Sequence, residues 1–210
     1  MTKLEFGPVA LGYHALKGML FTPASDESLQ QLINWLESQP RYGELLNEAR
    51  QWHGSSLELE CDFNRMCIGP TKLLVPPYES VYRDYGRQIH TERTVAVADF
   101  YQQLGLIPDS GFNEPADYIG NELEFLFCAE AMSYQQVQQD PQAAAELTLL
   151  AQTFLQHHLG TWYQDFTTGM SKHARLKFWT CYAQVLEDFL ADRLGTLEIN
   201  NPIKKCHLDA

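Results

Sequence analysis

The sequence predicts an all-α protein, an irregular helical bundle with a hinge loop between its N- and C-terminal halves. Three observations carry this reading. Apolar residues recur at spacings of three and four along most of the chain. Capping residues and prolines punctuate those runs at helix-like intervals. No run of alternating apolar and polar residues is flanked by hairpin turns, and LLVPP at 73–77 is too short and too rich in proline for a central strand. There is no repeat of fixed period.

The elements follow in order. A first helix is predicted over residues 8–21, stopping before Pro23, which cannot continue it. Ser25 caps a second, with Leu29, Leu32, Ile33 and Leu36 on one face. Pro40 opens a third, with Leu45, Leu46, Ala49 and Trp52 aligned, and Gly54 ends it. Ser55 or Ser56 caps the next, through Leu57, Cys61 and Met66. GPTKLLVPP at 69–77 breaks the helical pattern, which resumes from about Glu92 to Leu104. A second irregular stretch, LIPDSGFNEPAD at 106–117, is the predicted hinge. It divides one domain into an N-terminal half, 1–105, and a C-terminal half, 118–210. The helix expected over 116–134 carries Ile119, Leu123, Phe125, Leu126, Phe127, Ala129 and Met132, apolar on nearly all sides and therefore central. Asp140-Pro141 starts another, and Ser171 is expected to cap a long final helix through Phe178, Tyr182, Val185 and Phe189, followed by a loose tail over 195–210.

The chain has 210 residues and a formal net charge of -12. That sign disfavours nucleic acid and anionic membrane surfaces, suits a cationic partner such as a basic peptide, and equally serves solubility. The cysteines Cys61, Cys67, Cys128, Cys181 and Cys206 are odd in number and lack C-x-x-C spacing, which reads as reduced intracellular thiols. The N-terminal stretch has neither a basic n-region nor a small-residue cleavage site, and no apolar run approaches a membrane span, so a cytoplasmic location is expected.

Motifs for catalysis and cofactors are missing: no phosphate loop, no GxGxxG after a strand, no HExxH, no GxSxG and no Glu-x-x-His pair. No cofactor and no metal site is expected, and the seven histidines read most simply as surface or core-edge residues. Three constellations remain. LVPPYESVYRDYG at 74–86 places Tyr78, Glu79, Ser80, Tyr82, Asp84 and Tyr85 behind two prolines. Aromatic rings with carboxylates can receive an arginine-containing peptide, or the loop can simply plug the end of the bundle. Glu114, Pro115, Asp117, Tyr118 and Glu122 form the second. Its acids can bind a cationic peptide, act as acid–base groups, or favour a helix N-terminus. Glu122 lies inside an apolar helix and must find a partner or shift its pKa. HHLGTWYQDF at 157–166, with His158, Trp162, Tyr163 and Phe166, is either core or one wall of a hydrophobic groove.

These three blocks also carry a resemblance. CDFNRMCIGPTKLLVPPYESVY at 61–82 resembles the signature of the TorD/DmsD/NarJ-type redox-enzyme maturation chaperones, through Asp62, Phe63, Gly69, Pro70, Pro76, Pro77, Ser80, Val81 and Tyr82. NEPADYIGNELEFLFCAEAM at 113–132 is similar to that family's E-P-x-D-H block, matched by Glu114, Pro115 and Asp117. HHLGTWYQDF is similar to its H-L-x-x-W-x-x-x-F block, matched by His158, Leu159, Trp162 and Phe166. Two departures stand out: Tyr118 replaces the usual His, and Met66-Cys67 replaces Leu-Phe. The resemblance spans about residues 8–195. It implies an all-helical chaperone, not an enzyme, that binds the twin-arginine signal peptide of a molybdenum oxidoreductase. It further implies shielding of the apo-form during cofactor insertion, as a monomer or a domain-swapped dimer. Weak guanine-nucleotide binding, which the resemblance also raises, has no phosphate loop to serve it.

The expected peptide-binding residues are Tyr78, Glu79, Ser80, Tyr82, Glu114, Pro115, Asp117, Tyr118, Glu122, His158 and Trp162. The acids would meet the arginines and the aromatics the apolar h-region. Charge reversal at Glu114 and Asp117 is expected to weaken binding without unfolding the protein. Two rivals are an assembly factor that binds only the mature oxidoreductase subunit, and a small acid–base enzyme using Glu114, Asp117, Glu122 and His158.

Overall fold

The computed structural model describes residues 6–69, 72–84, 88–107 and 114–200. Ten α-helices build it: α1 (Pro8–Phe21), α2 (Asp26–Glu37), α3 (Gly43–Trp52), α4 (Leu57–Phe63), α5 (Glu79–Arg83), α6 (Glu92–Gln103), α7 (Ile119–Gln136), α8 (Pro141–His157), α9 (Tyr163–His173) and α10 (Lys177–Asn200). Among the described residues there is no strand, and Tyr78 and Tyr118 form an isolated antiparallel bridge.

Local chemistry sets the boundaries. Pro8 sits in the first turn of α1, where its missing N–H costs nothing. Ser25 caps α2 by accepting from the Ser28 N–H at 3.3 Å, and Asp140 caps α8 by accepting from Ala143 at 3.0 Å. Pro40 opens a single 3-10 turn, Pro40–Tyr42, rather than α3 itself. After α4 the chain widens into a π-turn, Asn64–Ile68, closed by Gly69 at φ 40°. The Ser56 hydroxyl is drawn to the Ala24 carbonyl at 2.5 Å and does not cap α4.

The central helix is α7, packed between α1 and α8, with Ile119, Leu123, Phe125, Leu126 and Ala129 all buried. It begins at Ile119, three residues after the expected start, because Pro115 to Tyr118 are used in a turn and in the bridge. α10 packs on α9 and α3 through Phe178, Trp179, Tyr182, Val185, Leu186, Phe189 and Leu190. Long-range hydrogen bonds tie it down: Trp179 Nε1 donates to the Leu59 carbonyl at 2.9 Å, and the Tyr182 hydroxyl to the Leu16 carbonyl at 2.8 Å.

The expected cap of α10 is corrected. Ser171 lies inside α9, and the approach to α10 is held by Asp62 from α4, whose Oδ2 accepts from the Arg175 and Leu176 N–H groups at 2.9 Å each. α10 also continues through the predicted tail as far as Asn200. The predicted hinge centre, 108–113, and residues 201–210 lie outside the described residues.

Candidate functional site

The two proline-bearing blocks meet. The Ile119 N–H donates to the Pro77 carbonyl at 2.9 Å, and the Glu79 N–H to the Asp117 carbonyl at 3.0 Å. Pro77 supplies only an acceptor to this short ladder, as proline must. Asp117 adds a side-chain contact: its Oδ2 accepts from the Ser80 N–H at 3.0 Å and so caps α5 from a distant segment. The Tyr78 hydroxyl donates to Glu114 Oε2 at 2.8 Å, the Tyr101 hydroxyl to the Ala116 carbonyl at 2.6 Å, and Asn121 Nδ2 to the Pro115 carbonyl at 2.8 Å. The turn before α7 is therefore gripped from three sides.

Tyr118, which stands where an imidazole was expected, is 2% exposed. Its hydroxyl donates to the Leu20 carbonyl at 2.6 Å, tying the start of α7 to the end of α1. Its ring lies beside Phe21 and Tyr78. Gly120 makes room for this, since a Cβ there would stand 2.5 Å from the Tyr118 ring.

Glu79 is the centre of charge. It is fully buried, with Oε1 receiving Arg93 NH1 at 3.2 Å and Oε2 facing His158 Nδ1 at 2.9 Å. Arg93, from α6, also holds Asp84 Oδ1 through Nε at 3.0 Å. The Thr91 hydroxyl donates to the other Asp84 oxygen, and this bond, with the Arg93 guanidinium, holds the carboxyl below its usual range. The His158 ring is packed between Phe154 and Phe100, at centroid distances of 5.0 and 5.1 Å.

Glu122, also fully buried, accepts from Trp162 Nε1 at 3.3 Å. Burial, and then the nearby Glu79 charge, push its pKa well above the ordinary carboxylate range, which favours the protonated form. Trp162 in turn stacks on Tyr82 at 5.5 Å and 24°. Ser80 Oγ, Asp117 Oδ1 and Glu122 Oε1 are buried and have no hydrogen-bond partner among the described residues.

All eleven residues predicted from sequence thus belong to one connected junction of α5, α6, α7 and the α8–α9 turn. Their exposure is uneven. Tyr78, Glu79, Ser80, Asp117, Tyr118, Glu122, His158 and Trp162 are buried, while Tyr82, Glu114 and Pro115 reach the surface in part. Charge reversal at Asp117 is therefore a change of stability, which corrects the expectation of a harmless probe. Sequence reasoning missed Arg93, Tyr101 and Asn121. Glu79 demands a cation only once it is buried, which the sequence does not show, and Arg83, Arg87 and Arg93 all follow closely, so spacing does not choose among them. Tyr85 lies outside the described residues.

Among the described residues no cluster of His, Cys, Asp and Glu is arranged to hold a metal ion, and no helix is long and apolar enough to cross a membrane. Beside the junction runs an apolar groove of about 720 Å³, lined chiefly by Phe100, Leu104, Met132, Leu147 and Leu150.

The sequence pattern of the nitrate reductase delta subunit family matches residues 21–168. The chain belongs to this family. It is similar to the chaperone protein TorD of Aliivibrio fischeri, 27% identical over 83% of this chain and 76% of that protein. TorD of Aliivibrio salmonicida is 29% identical over 69% of this chain and 66% of that protein. A Tat proofreading chaperone, DmsD of Haemophilus influenzae, is 28% identical over 67% and 62%. Among solved structures, a redox enzyme maturation protein from Archaeoglobus fulgidus has the same fold, with a TM-score of 0.57 at 18% identity, covering 94% of this chain and 99% of that one. The TorD/NarJ resemblance and the all-α fold are thereby established, and the family is one of redox-enzyme maturation chaperones rather than enzymes.

Proposed function

We propose that the protein is a cytoplasmic chaperone that binds the twin-arginine signal peptide of a molybdenum oxidoreductase and holds the apo-form while its cofactor is inserted before export. One observation carries the reading. The three sequence blocks converge on a junction where Glu79, Asp84, Glu114 and Asp117 gather and Arg93 pairs with Glu79 and Asp84, an acid excess suited to guanidinium groups. The apolar groove gives the reading its second half. Phe100 touches His158 at the acidic junction and also lines the groove, so both features share one wall of α6. From Arg93 to Leu104 is about 16 Å along a helix at ~1.5 Å per residue. A peptide with arginines followed by an apolar stretch spans that length. The segment 106–117, between α6 and α7, is the proposed hinge by which the groove adapts.

Calorimetric titration with twin-arginine leaders of the host's molybdoenzymes, each beside a twin-lysine control and at two salt concentrations, tests this. Micromolar binding to one leader, lost with the lysine control and weakened by salt, is expected. Failure of every leader, with retained binding to a leader-deleted oxidoreductase subunit, would favour the assembly-factor reading instead.

A further inference from the structure

We propose that Arg93 is an intramolecular stand-in for a partner's arginine: Glu79 and Asp84 form a guanidinium seat that Arg93 closes and that a guanidinium from outside takes by exchange. This deepens the signal-peptide reading and rests on it for the identity of the occupant. The geometry is that of a fork between two acids, with NH1 on Glu79 Oε1 at 3.2 Å and Nε on Asp84 Oδ1 at 3.0 Å. One acid is sealed and the other is not: side-chain exposure is 0% for Glu79, 25% for Asp84 and 31% for Arg93. The guanidinium therefore stands at a mouth, facing solvent on one side and a buried carboxylate on the other.

Glu79 cannot be left alone, because a buried carboxylate without a cation is strongly unfavourable. His158 holds only its second oxygen. Whatever enters must bring a positive charge of its own, and arginine alone among side chains pairs two carboxylates with a rigid planar fork. A lysine ammonium, a point charge, brings no planar fork to match this geometry. Arg93 itself stands outside the packed core. Of the twelve residues of α6 only Thr94, Val97 and Tyr101 are buried, so releasing the arginine disturbs little of the core. The partly exposed Phe100 ring, packed on His158, borders the same region and offers a surface for the stem of an incoming side chain.

The test uses the full chain with Arg93→Ala. The variant melts at a lower temperature than the wild type. Methylguanidinium restores part of the loss, while methylammonium at equal ionic strength does not. The twin-arginine leader binds the variant about tenfold more tightly than the wild type, with no such gain for the twin-lysine control. Arg93→Lys keeps a cation on Glu79 but loses the fork, and covers the case in which the alanine variant does not fold. It is expected to show a smaller gain of the same sign. Leader affinity unchanged or weakened in the folded variants, without methylguanidinium rescue, overturns the exchange and leaves leader binding standing. Rescue by methylguanidinium with no leader bound by any form supports the seat and removes the leader as its occupant.

Discussion

At the scale of single residues, the junction divides into groups that hold the fold and groups that face outward. Glu122 belongs to the first. Its carboxyl is protonated in the folded protein at pH values where an unfolded glutamate, with a pKa of about 4.3, has ionised. The unfolded chain therefore releases a proton that the folded chain keeps, and stability falls as pH rises from that value towards the raised one. Glu122→Gln mimics the protonated form and keeps an acceptor for Trp162. It should raise the melting temperature by about 3–8 °C at pH 7.5 and leave it nearly unchanged at pH 4. A difference that does not shrink on acidification would contradict protonation of this group. Glu114 belongs to the second class, being half-buried and tied to one phenol. Glu114→Lys should weaken leader binding by about tenfold while shifting the melting temperature by no more than about 3 °C. The acids themselves were legible in the sequence, because carboxylates beside prolines and inside an apolar helix demand an explanation. Their burial was not. Exposure depends on what another segment lays over a residue, and Tyr101 and Arg93 arrive from a helix whose placement no spacing reveals.

At the scale of elements, most boundaries were legible because they rest on local chemistry. Pro8, Ser25 and Asp140 act on residues within a turn of themselves. The start of α10 was not, because its anchor is Asp62, more than a hundred residues earlier in the chain. Asp62 is 6% exposed and serves the Arg175 and Leu176 amides together with Arg65, which also donates to the His173 carbonyl. Asp62→Ala removes the charged acceptor and should cost about 2–3 kcal/mol, lowering the melting temperature by roughly 5–10 °C. Asp62→Asn, which keeps one oxygen, should lose less. Equal melting temperatures for the alanine variant and the wild type would show that α9 and α10 are positioned by packing alone. The same logic explains the position of Gly160: a Cβ there would meet the Leu155 carbonyl oxygen at 2.3 Å, so the short turn between α8 and α9 admits no larger residue.

At the scale of the whole molecule, α1 from the N-terminal half packs on α7 from the C-terminal half, and both share a core with α10. A bundle class was legible from periodicity alone, while the pairing of α1 with α7 was not, since helical periodicity gives a face and no partner. The net charge of -12 acts at this scale as well. It would draw a cationic leader from a distance, so on the proposed reading association with a leader should slow as salt is raised while the dissociation rate changes less. Stopped-flow measurement at two ionic strengths separates the two rates, and a salt effect confined to dissociation would assign the acids to contact rather than steering.

The bridge between Tyr78 and Tyr118 closes the chain on itself like a drawstring, fastening two points forty residues apart. Between those two points α6 is laced back to the knot, through the Tyr101 hydroxyl on the Ala116 carbonyl and through Arg93 on Glu79. Loosening the knot would therefore slacken the helix that carries Arg93, so that the fastening and the charged junction stand or fall together.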